Sequence, residues 1–392
     1  MKTHTQLRIL VAADVPMDPN SGAAGTVFAT SEAFKELGHS VDEIWASDLP
    51  HRITHWNLHY LLELPRAYRN AVRERAAVAA PDVILVSQPH AWLAARDHQK
   101  RRRHGVFVNR SHGLESMADA SLVKWQSRLS SPANRFPRSL LTPVIRAALH
   151  RHIHLVAKYA DGMIVPSNEI RAHLVAEHGA DAARVEVVYH GAPAVFLRKP
   201  RPPMTALRLK KLLHVGQFSF IKGPHLLAAA VELAMSNDSD LELTWVCNKA
   251  DHAAAIELFR PEFRGRVTTM PWVDQPELIE LYDTHGVFVA HSLYEGAAKA
   301  CTEAMTRGMA LVSSAVGALK DHHQDGEAAR LVEVGDVEAM AKQIRLVSES
   351  IELATSIGAN AVASVGHLSW EACAQGAIEF FGRLLREKGE QV

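Results

Sequence analysis

One feature limits what this chain can fold into more than any other: short, continuous runs of Val, Ile and Leu recur along its whole length, separated by longer amphipathic stretches. In the first half the runs are RILVAAD (8–14), VDEIWAS (41–47), PDVILVS (81–87), GVFVNRS (105–111), GMIVPS (162–167) and VEVVYHG (185–191). The second half repeats the scheme with KLLHVGQ (211–217), LELTWVC (241–247), RVTTMPW (266–272), GVFVAHS (286–292), ALVSSAV (310–316) and ARLVEVG (329–335). Continuous rather than alternating apolar runs suit parallel strands buried on both faces. Between them, TVFATSEAFKEL (26–37), NEIRAHLVAEH (168–178), PHLLAAAVELAM (224–235) and PELIELYDTH (276–285) carry helical periodicity. Two successive β/α series of about 190 residues each predict two doubly wound, Rossmann-like α/β domains. RKPRPP at 198–203 reads as a stiff linker, which sets expected domains at 1–198 and 205–373.

A chain of 392 residues is too long for one ordinary core and about right for two. Its 47% hydrophobic and 22% charged content is that of a soluble globular protein. Net charge is zero, so no global field attracts nucleic acid. Cys247, Cys301 and Cys373 have no metal-type spacing and cannot build a disulfide framework, so a reducing cytoplasm is expected. The apolar run at 7–13 is too short for a leader and is soon broken by Asp14. No run approaches the roughly 18–20 residues of a membrane span.

The charge is unevenly spread. Residues 1–200 hold 25 Lys+Arg against 18 Asp+Glu, and residues 96–158 hold 13 against three. KRRRH at 100–104 belongs to this basic stretch. It reads either as a solvated surface or as a face for an anionic acceptor or anionic lipid headgroups, allowing peripheral contact with the inner face of a membrane.

In doubly wound sheets ligands bind beyond the carboxyl ends of the strands, so two facing sheets would enclose one interdomain cleft. The loop after the first run, DVPMDPNSGAAGTVFAT, carries Gly22 and Gly25 ahead of a helix expected to start near Ala24 to Thr26. It is either an anion cradle or only a tight connection. His112 follows the fourth run and reads either as a satisfied structural histidine or, from its place at a strand end, as a neutral imidazole that can donate to a sugar hydroxyl. Lys222 and Gly223 precede Pro224 at a helix entrance, which reads as a diphosphate-binding arrangement or as a surface lysine in a polar loop.

SLYEGAAKACTEAM (292–305) sets Glu295 in a turn and Glu303 two turns into the next helix. On one helix, eight residues would separate them by about 12 Å. An acid/base pair of carboxylates in a glycosidase spans only about 5–9.5 Å. The pair reads either as solvated helix charges, which the Ala, Cys and Met around them disfavour, or as the two ends of a site for a long ligand, since each carboxylate accepts from two hydroxyls of a vicinal diol. A nucleotide sugar has such a diol at each end, with diphosphate between.

In this order the motifs resemble those of family 4 retaining glycosyltransferases of the GT-B fold. They are SGAAGTVFATSEAFKELGHSV, SHG at 111–113, ADGMIVPSNEIRAHL, VVYHGAP, VGQFSFIKG, the E-x7-E of LYEGAAKACTEAMTRGMALVSS, and SW at 369–370 before the last helix. The resemblance implies that this helix, about 374–392, crosses back onto the N-terminal, acceptor-binding domain. It implies that Lys222 meets the donor diphosphate, Glu295 holds hydroxyls of the donor sugar with Gly296, Ala297 and Ala298 beside it, and Glu303 holds the ribose. His112 would sit against the transferred sugar, Gly22 and Gly25 near the phosphates, and Trp272 and Val273 at the nucleobase. Such enzymes generally need no metal or other cofactor, in keeping with the lack of a DxD-type cluster at any strand end.

Two positions depart from the family's pattern. Gln217 stands where arginine is usual, and Trp272 where glycine is, which leaves base specificity open. Lys299, inside EGAAKACTEA, is the residue expected to replace part of the lost charge. The implied activity is hexosyl transfer from a UDP- or GDP-sugar to an acceptor hydroxyl in glycan, polysaccharide or glycolipid synthesis. A nucleotide-sugar epimerase or hydrolase on the same fold, or a non-catalytic sugar-nucleotide-binding subunit, are the rival readings.

Overall fold

The computed structural model describes residues 6–19, 22–129, 138–322 and 326–390. The twelve apolar runs form twelve strands, each shorter than its run. They are β1 (Arg8–Ala12), β2 (Ser40–Ile44), β3 (Val83–Ser87), β4 (Val106–Arg110), β5 (Gly162–Val165), β6 (Val185–Val187), β7 (Lys211–Val215), β8 (Glu242–Val246), β9 (Val267–Met270), β10 (Val287–Ala290), β11 (Ala310–Ser314) and β12 (Arg330–Val332). All pairings are parallel, in two six-stranded sheets of order β2-β1-β3-β4-β5-β6 and β12-β11-β10-β7-β8-β9. Every residue of β3, β4, β10 and β11 is buried, as strands covered on both faces require. Strand order reverses between β1 and β3 in the first sheet and between β7 and β10 in the second, and those are the places where crossovers leave a crevice.

The helices that matter below are α1 (Gly22–Glu36), α2 (Glu115–Arg128), α3 (Pro224–Met235), α4 (Gln275–Thr284), α5 (Lys299–Thr306) and α6 (Trp370–Glu387). Helix α1 begins two residues ahead of the expected start, so Gly22 and Gly25 lie inside its first turn rather than in a loop. Asp274 caps α4 by accepting from the Glu277 amide at 3.0 Å.

The chain divides into two compact units. Unit 1 takes in the described residues through Ser116, then 126–191, and those from Trp370 on; unit 2 takes in 117–125 and 192–369. Helix α6 seals the unit 1 sheet by burying Ala377, Phe380, Phe381 and Leu384 in its core, with about 1.5–3 kcal/mol from each large side chain. Gly162 permits that approach, since a Cβ there would lie 2.6 Å from the Phe380 ring. Arg110, buried beneath α6, donates to Thr30 at 2.8 Å and to Cys373 Sγ at 3.4 Å.

In unit 2 the Pro-rich stretch is pinned by arginines rather than left free. Arg307 is 1% exposed and donates to the carbonyls of Phe196, Lys199 and Pro200, and through Nε to Asp283 at 2.8 Å. Arg208 donates to the carbonyls of Pro202 and Pro203 at 3.0 and 2.9 Å. Residues 117–125 of α2 also pack within unit 2, where Trp125 meets Leu226 and Leu293, and Ser121 Oγ donates to Leu293 O at 2.9 Å.

Among the described residues no helix is long and apolar enough to cross a membrane. Of the basic stretch 96–158, residues 130–137 lie outside the described residues. In the remainder, Asp97, one of the three acids counted there, gathers Arg101 and Arg103 from within the stretch and Arg73 from outside it.

Two outcomes are expected. Arg307→Ala leaves buried carbonyls and much of the Asp283 carboxylate without a donor, and should cost about 3–5 kcal/mol, read as a lower midpoint in chemical denaturation. Burial holds His90 and His112 down to about 3 and His214, His285 and His291 down to about 4. Unfolded, these groups titrate near 6.5, so the unfolded chain binds more protons between the two values. Stability is therefore full above pH 6.5 and falls by about 1.4 kcal/mol per pH unit for each such histidine as pH drops toward 4. Glu303, raised by burial, acts in the opposite sense but is one group against several. Thermal unfolding should show a clearly lower Tm at pH 5.5 than at 7.5; an unchanged Tm would contradict this account.

Candidate functional site

The reversal between β7 and β10 sets the loops after these two strands side by side. The loop after β7 turns through Phe220–Lys222 and enters α3 at Gly223, whose φ is +63° and where a Cβ would meet the His291 carbonyl at 2.0 Å. Only glycine fits both the left-handed backbone and that contact. The Leu293 amide donates to Ile221 O at 2.8 Å and ties the two loops together.

Across this tie Lys222 Nζ meets Glu295 Oε1 at 2.6 Å, and Ser292 Oγ donates to the same oxygen at 2.8 Å. Among the described residues the second Glu295 oxygen accepts no hydrogen bond. Ser292 is itself held, because its carbonyl accepts from Ser314 Oγ at 2.7 Å. Beyond Glu295 the chain bends through Gly296 and Ala297 to Ala298, which sits in the left-handed region at φ 51° and whose carbonyl accepts from the Cys301 and Thr302 amides. A non-glycine residue held there stores about 1–3 kcal/mol, a cost typical of loops shaped around a ligand. Helix α5 then starts at Lys299, so Glu303 is its fifth residue, one turn in rather than the expected two. The first N–H groups of α5 have no intrahelical acceptor and carry the positive end of its dipole.

Glu303 and Glu295 are held differently. Glu303 is 6% exposed, accepts from Tyr282 Oη at 3.2 Å, and has Lys299 Nζ at 3.7 Å from its other oxygen. Burial pushes its carboxyl up, with Lys299 opposing. Glu295 lies at the loop surface against an ammonium group. Two carboxylates eight residues apart therefore have separate lysine partners. Tyr282 and Ser292, which hold them, were not singled out by sequence; a tyrosine in an amphipathic helix and a serine at a strand end carry no distinctive signal.

The remaining candidates are placed as follows. Gln217 is exposed just after β7. Trp272 is 47% exposed past β9, donates through Nε1 to Asn248 at 2.6 Å, and is followed by half-buried Val273. Gly296 is buried, and its carbonyl accepts from the Ala318 amide at 3.0 Å; Ala297 beside it is half-buried. In unit 1, His112 follows β4 with Nε2 at 3.3 Å from Ser87 Oγ and its ring 5.8 Å from that of His190. Its Nδ1 is buried without a partner among the described residues, and burial, helped by Arg110, keeps the ring neutral. Gly22 is exposed and Gly25 buried at the start of α1. Among the described residues one group has the composition of a cation site, namely Asp14, His51 and His59 in unit 1.

Comparison with known proteins adds to this geometry. Residues 20–196 match a family model described as Glycosyltransferase Family 4, and residues 209–350 match one described as Glycosyl transferases group 1. A D-inositol 3-phosphate glycosyltransferase of Rhodococcus jostii is 28% identical over 335 residues, covering 80% of this chain and 70% of that protein. Sucrose-phosphate synthase from Thermosynechococcus elongatus has a similar fold, with a TM-score of 0.74 at 21% identity over 97% of this chain and all of that one. The Anabaena protein HepE, solved with UDP and glucose, gives 0.68 at 16% identity, over 96% of this chain and all of the other.

Gly317, at φ +54°, backs the Glu295 loop, and a Cβ there would lie 2.4 Å from Glu295 O and 2.5 Å from Gly296 O. Gly317→Ala should lower stability by about 1–3 kcal/mol in thermal unfolding. Gly22→Ala, whose Cβ meets nothing within 4 Å, should stay within about 0.5 kcal/mol.

Proposed function

The chain belongs to the family 4 glycosyltransferases of the GT-B fold and is a hexosyltransferase, and on that premise we propose that it moves a sugar from a UDP- or GDP-linked donor to an acceptor hydroxyl with retention at the anomeric carbon. The observation that carries the proposal is the meeting of Lys222 and Glu295 at the strand-order reversal of the unit 2 sheet, with the α5 N-terminus and buried Glu303 alongside. This is a strip of alternating character: a carboxylate with an open oxygen, two ammonium groups, free amides, then a second carboxylate in a dry setting. A sugar, a diphosphate and a ribose present the complementary series. Glu295 takes the sugar hydroxyls, Lys222 and Lys299 face the phosphates with the amides near Gly296 to Ala298, and Glu303 takes the ribose diol. Trp272 and Val273 are assigned to the base.

In the reaction the bond from the anomeric carbon to the phosphate oxygen breaks and the bond to the acceptor oxygen forms on the same face. The acceptor proton passes to the departing phosphate, so no enzymic nucleophile is required. The protein contributes position and electrostatic stabilisation of the leaving group. Lys222, released from Glu295 as phosphate charge arrives, and Lys299 supply that stabilisation, with no metal assigned to the diphosphate. Unit 1 offers His112, kept neutral, as a hydrogen-bonding partner for substrate. The relative from Rhodococcus is named for a phosphorylated polyol, and the Anabaena structure carries UDP and glucose. The second supports a UDP-sugar donor, and the first, with the basic stretch at 96–158, supports an anionic hydroxylated acceptor for a glycan or glycolipid route.

Glu295→Ala is expected to abolish transfer, by at least about 100-fold, while circular dichroism and Tm hold. Unchanged turnover would sink the assignment, and donor breakdown without an acceptor would mark a hydrolase or epimerase instead. Lys299→Ala should weaken binding of the donor nucleotide about 10-fold, and Lys342→Ala, an exposed control, should not. Thermal-shift titration with UDP-, GDP- and ADP-sugars reads both effects, since a ligand at 100 times its Kd adds about 2.7 kcal/mol to apparent stability.

A further inference from the structure

The strand-order reversal of the unit 1 sheet holds a second cluster with different chemistry. Asp14 follows β1, His51 lies in the loop after β2, and His59 opens a single π-helical turn, His59–Glu63. Such turns are rare and concentrate at functional sites. Asp14 Oδ1 lies 2.8 Å from His51 Nε2, and Oδ2 lies 3.3 Å from His59 Nε2. His59 is buried, while the His51 side chain is 42% exposed.

The partners of the other ring nitrogens decide what these contacts mean. His51 Nδ1 is 3.1 Å from Leu49 O, a carbonyl that can only accept, so Nδ1 carries the proton. His59 Nδ1 is 2.9 Å from Glu63 Oε2. The Arg52 and Ile53 amides donate to the two oxygens of the Glu63 carboxylate, which is an acceptor there, so His59 Nδ1 is the donor. With Nδ1 donating in each ring, both Nε2 atoms turn toward the Asp14 carboxylate oxygens. The two rings stack at 4.6 Å with 17° between planes. A cation among the three ligand atoms satisfies all of them.

We propose that Asp14, His51 and His59 bind a divalent transition-metal ion, zinc by the character of the donor set, at the carboxyl edge of the unit 1 sheet. Two imidazole nitrogens and one carboxylate oxygen are a zinc-type ligand set. The hydrogen bonds from each Nδ1, to a backbone carbonyl and to a carboxylate, are those that fix the tautomer of metal-bound histidine. The three ligand atoms lie within 4.8 Å of one another. Tetrahedral zinc with bonds of about 2.0–2.1 Å needs spacings near 3.3 Å, so a small inward shift of exposed His51 closes the site. Three protein ligands leave a fourth position, on the His51 side, for water or a substrate oxygen. Bound there, the ion would fasten the loop after β2 to the end of β1.

The test uses the full chain, stripped with a chelator and titrated with Zn2+ and separately with Co2+. One equivalent of Zn2+ should bind at micromolar Kd or tighter and raise Tm, and Co2+ should give the intense visible bands of four-coordinate cobalt. His51→Ala and Asp14→Asn should each weaken the site at least 10-fold and remove the bands, with circular dichroism unchanged. His51 is exposed enough for its variant to fold even where a His59 variant does not. His173→Ala, a histidine outside the cluster, should leave the equivalent intact. Absence of a stoichiometric ion in the parent chain overturns the proposal, as does binding that survives both Asp14→Asn and His51→Ala. None of these readouts depends on glycosyl transfer.

Discussion

A parallel sheet buried on both faces has no room for polar chemistry except at its strand ends, and everything else in this protein follows from that restriction. β3, β4, β10 and β11 are buried at every residue, so a charged side chain within them needs its own partners, as Arg110 at the end of β4 has in Thr30 and Cys373. The chain puts its carboxylates, lysines and histidines where strands stop: Asp14 after β1, His112 after β4, Lys222 after β7, Glu295 after β10. Where the strand order reverses, the crossovers diverge, and loops distant in sequence become neighbours. Lys222 and Glu295 are 73 residues apart in sequence and 2.6 Å apart in space for that reason.

The two glutamates show how one motif yields two environments. Glu295 is held by Lys222 and Ser292 on a loop braced from below by Gly317, and keeps an oxygen open. Glu303, five residues beyond strained Ala298, is buried against Tyr282 with its carboxyl pushed up. A group in that state gains from hydroxyl donors more than a solvated one, because it has little water to give up. The lysines are arranged to match, each held near one carboxylate.

Much of this was legible in residue order. Continuous apolar runs marked all twelve strands, and Pro224 and Pro276 marked helix starts to within a residue. Other details were not. The start of α1 at Gly22 and of α5 at Lys299 depends on backbone placed by neighbouring loops, which local propensity does not encode. RKPRPP reads as a linker from composition, yet Arg307 and Arg208 collect its carbonyls from elsewhere in unit 2. No local signal predicted that residues 117–125 would pack with Leu226 and Leu293. The Asp14, His51 and His59 cluster escaped notice because its members are scattered over 46 positions, with none of the short spacing that marks a metal motif.

Sequence alone determined the number and kind of strands, the two-series architecture, and the family that the ordered motifs resemble, since apolar periodicity and strand-end glycines are local and need no partner. Tertiary structure decided who meets whom. It paired Lys222 with Glu295 and Lys299 with Glu303, buried one carboxylate and left the other open, and brought two imidazoles to one aspartate. Those outcomes depend on strand order, and strand order is settled by how crossovers pack, which no single stretch of sequence contains.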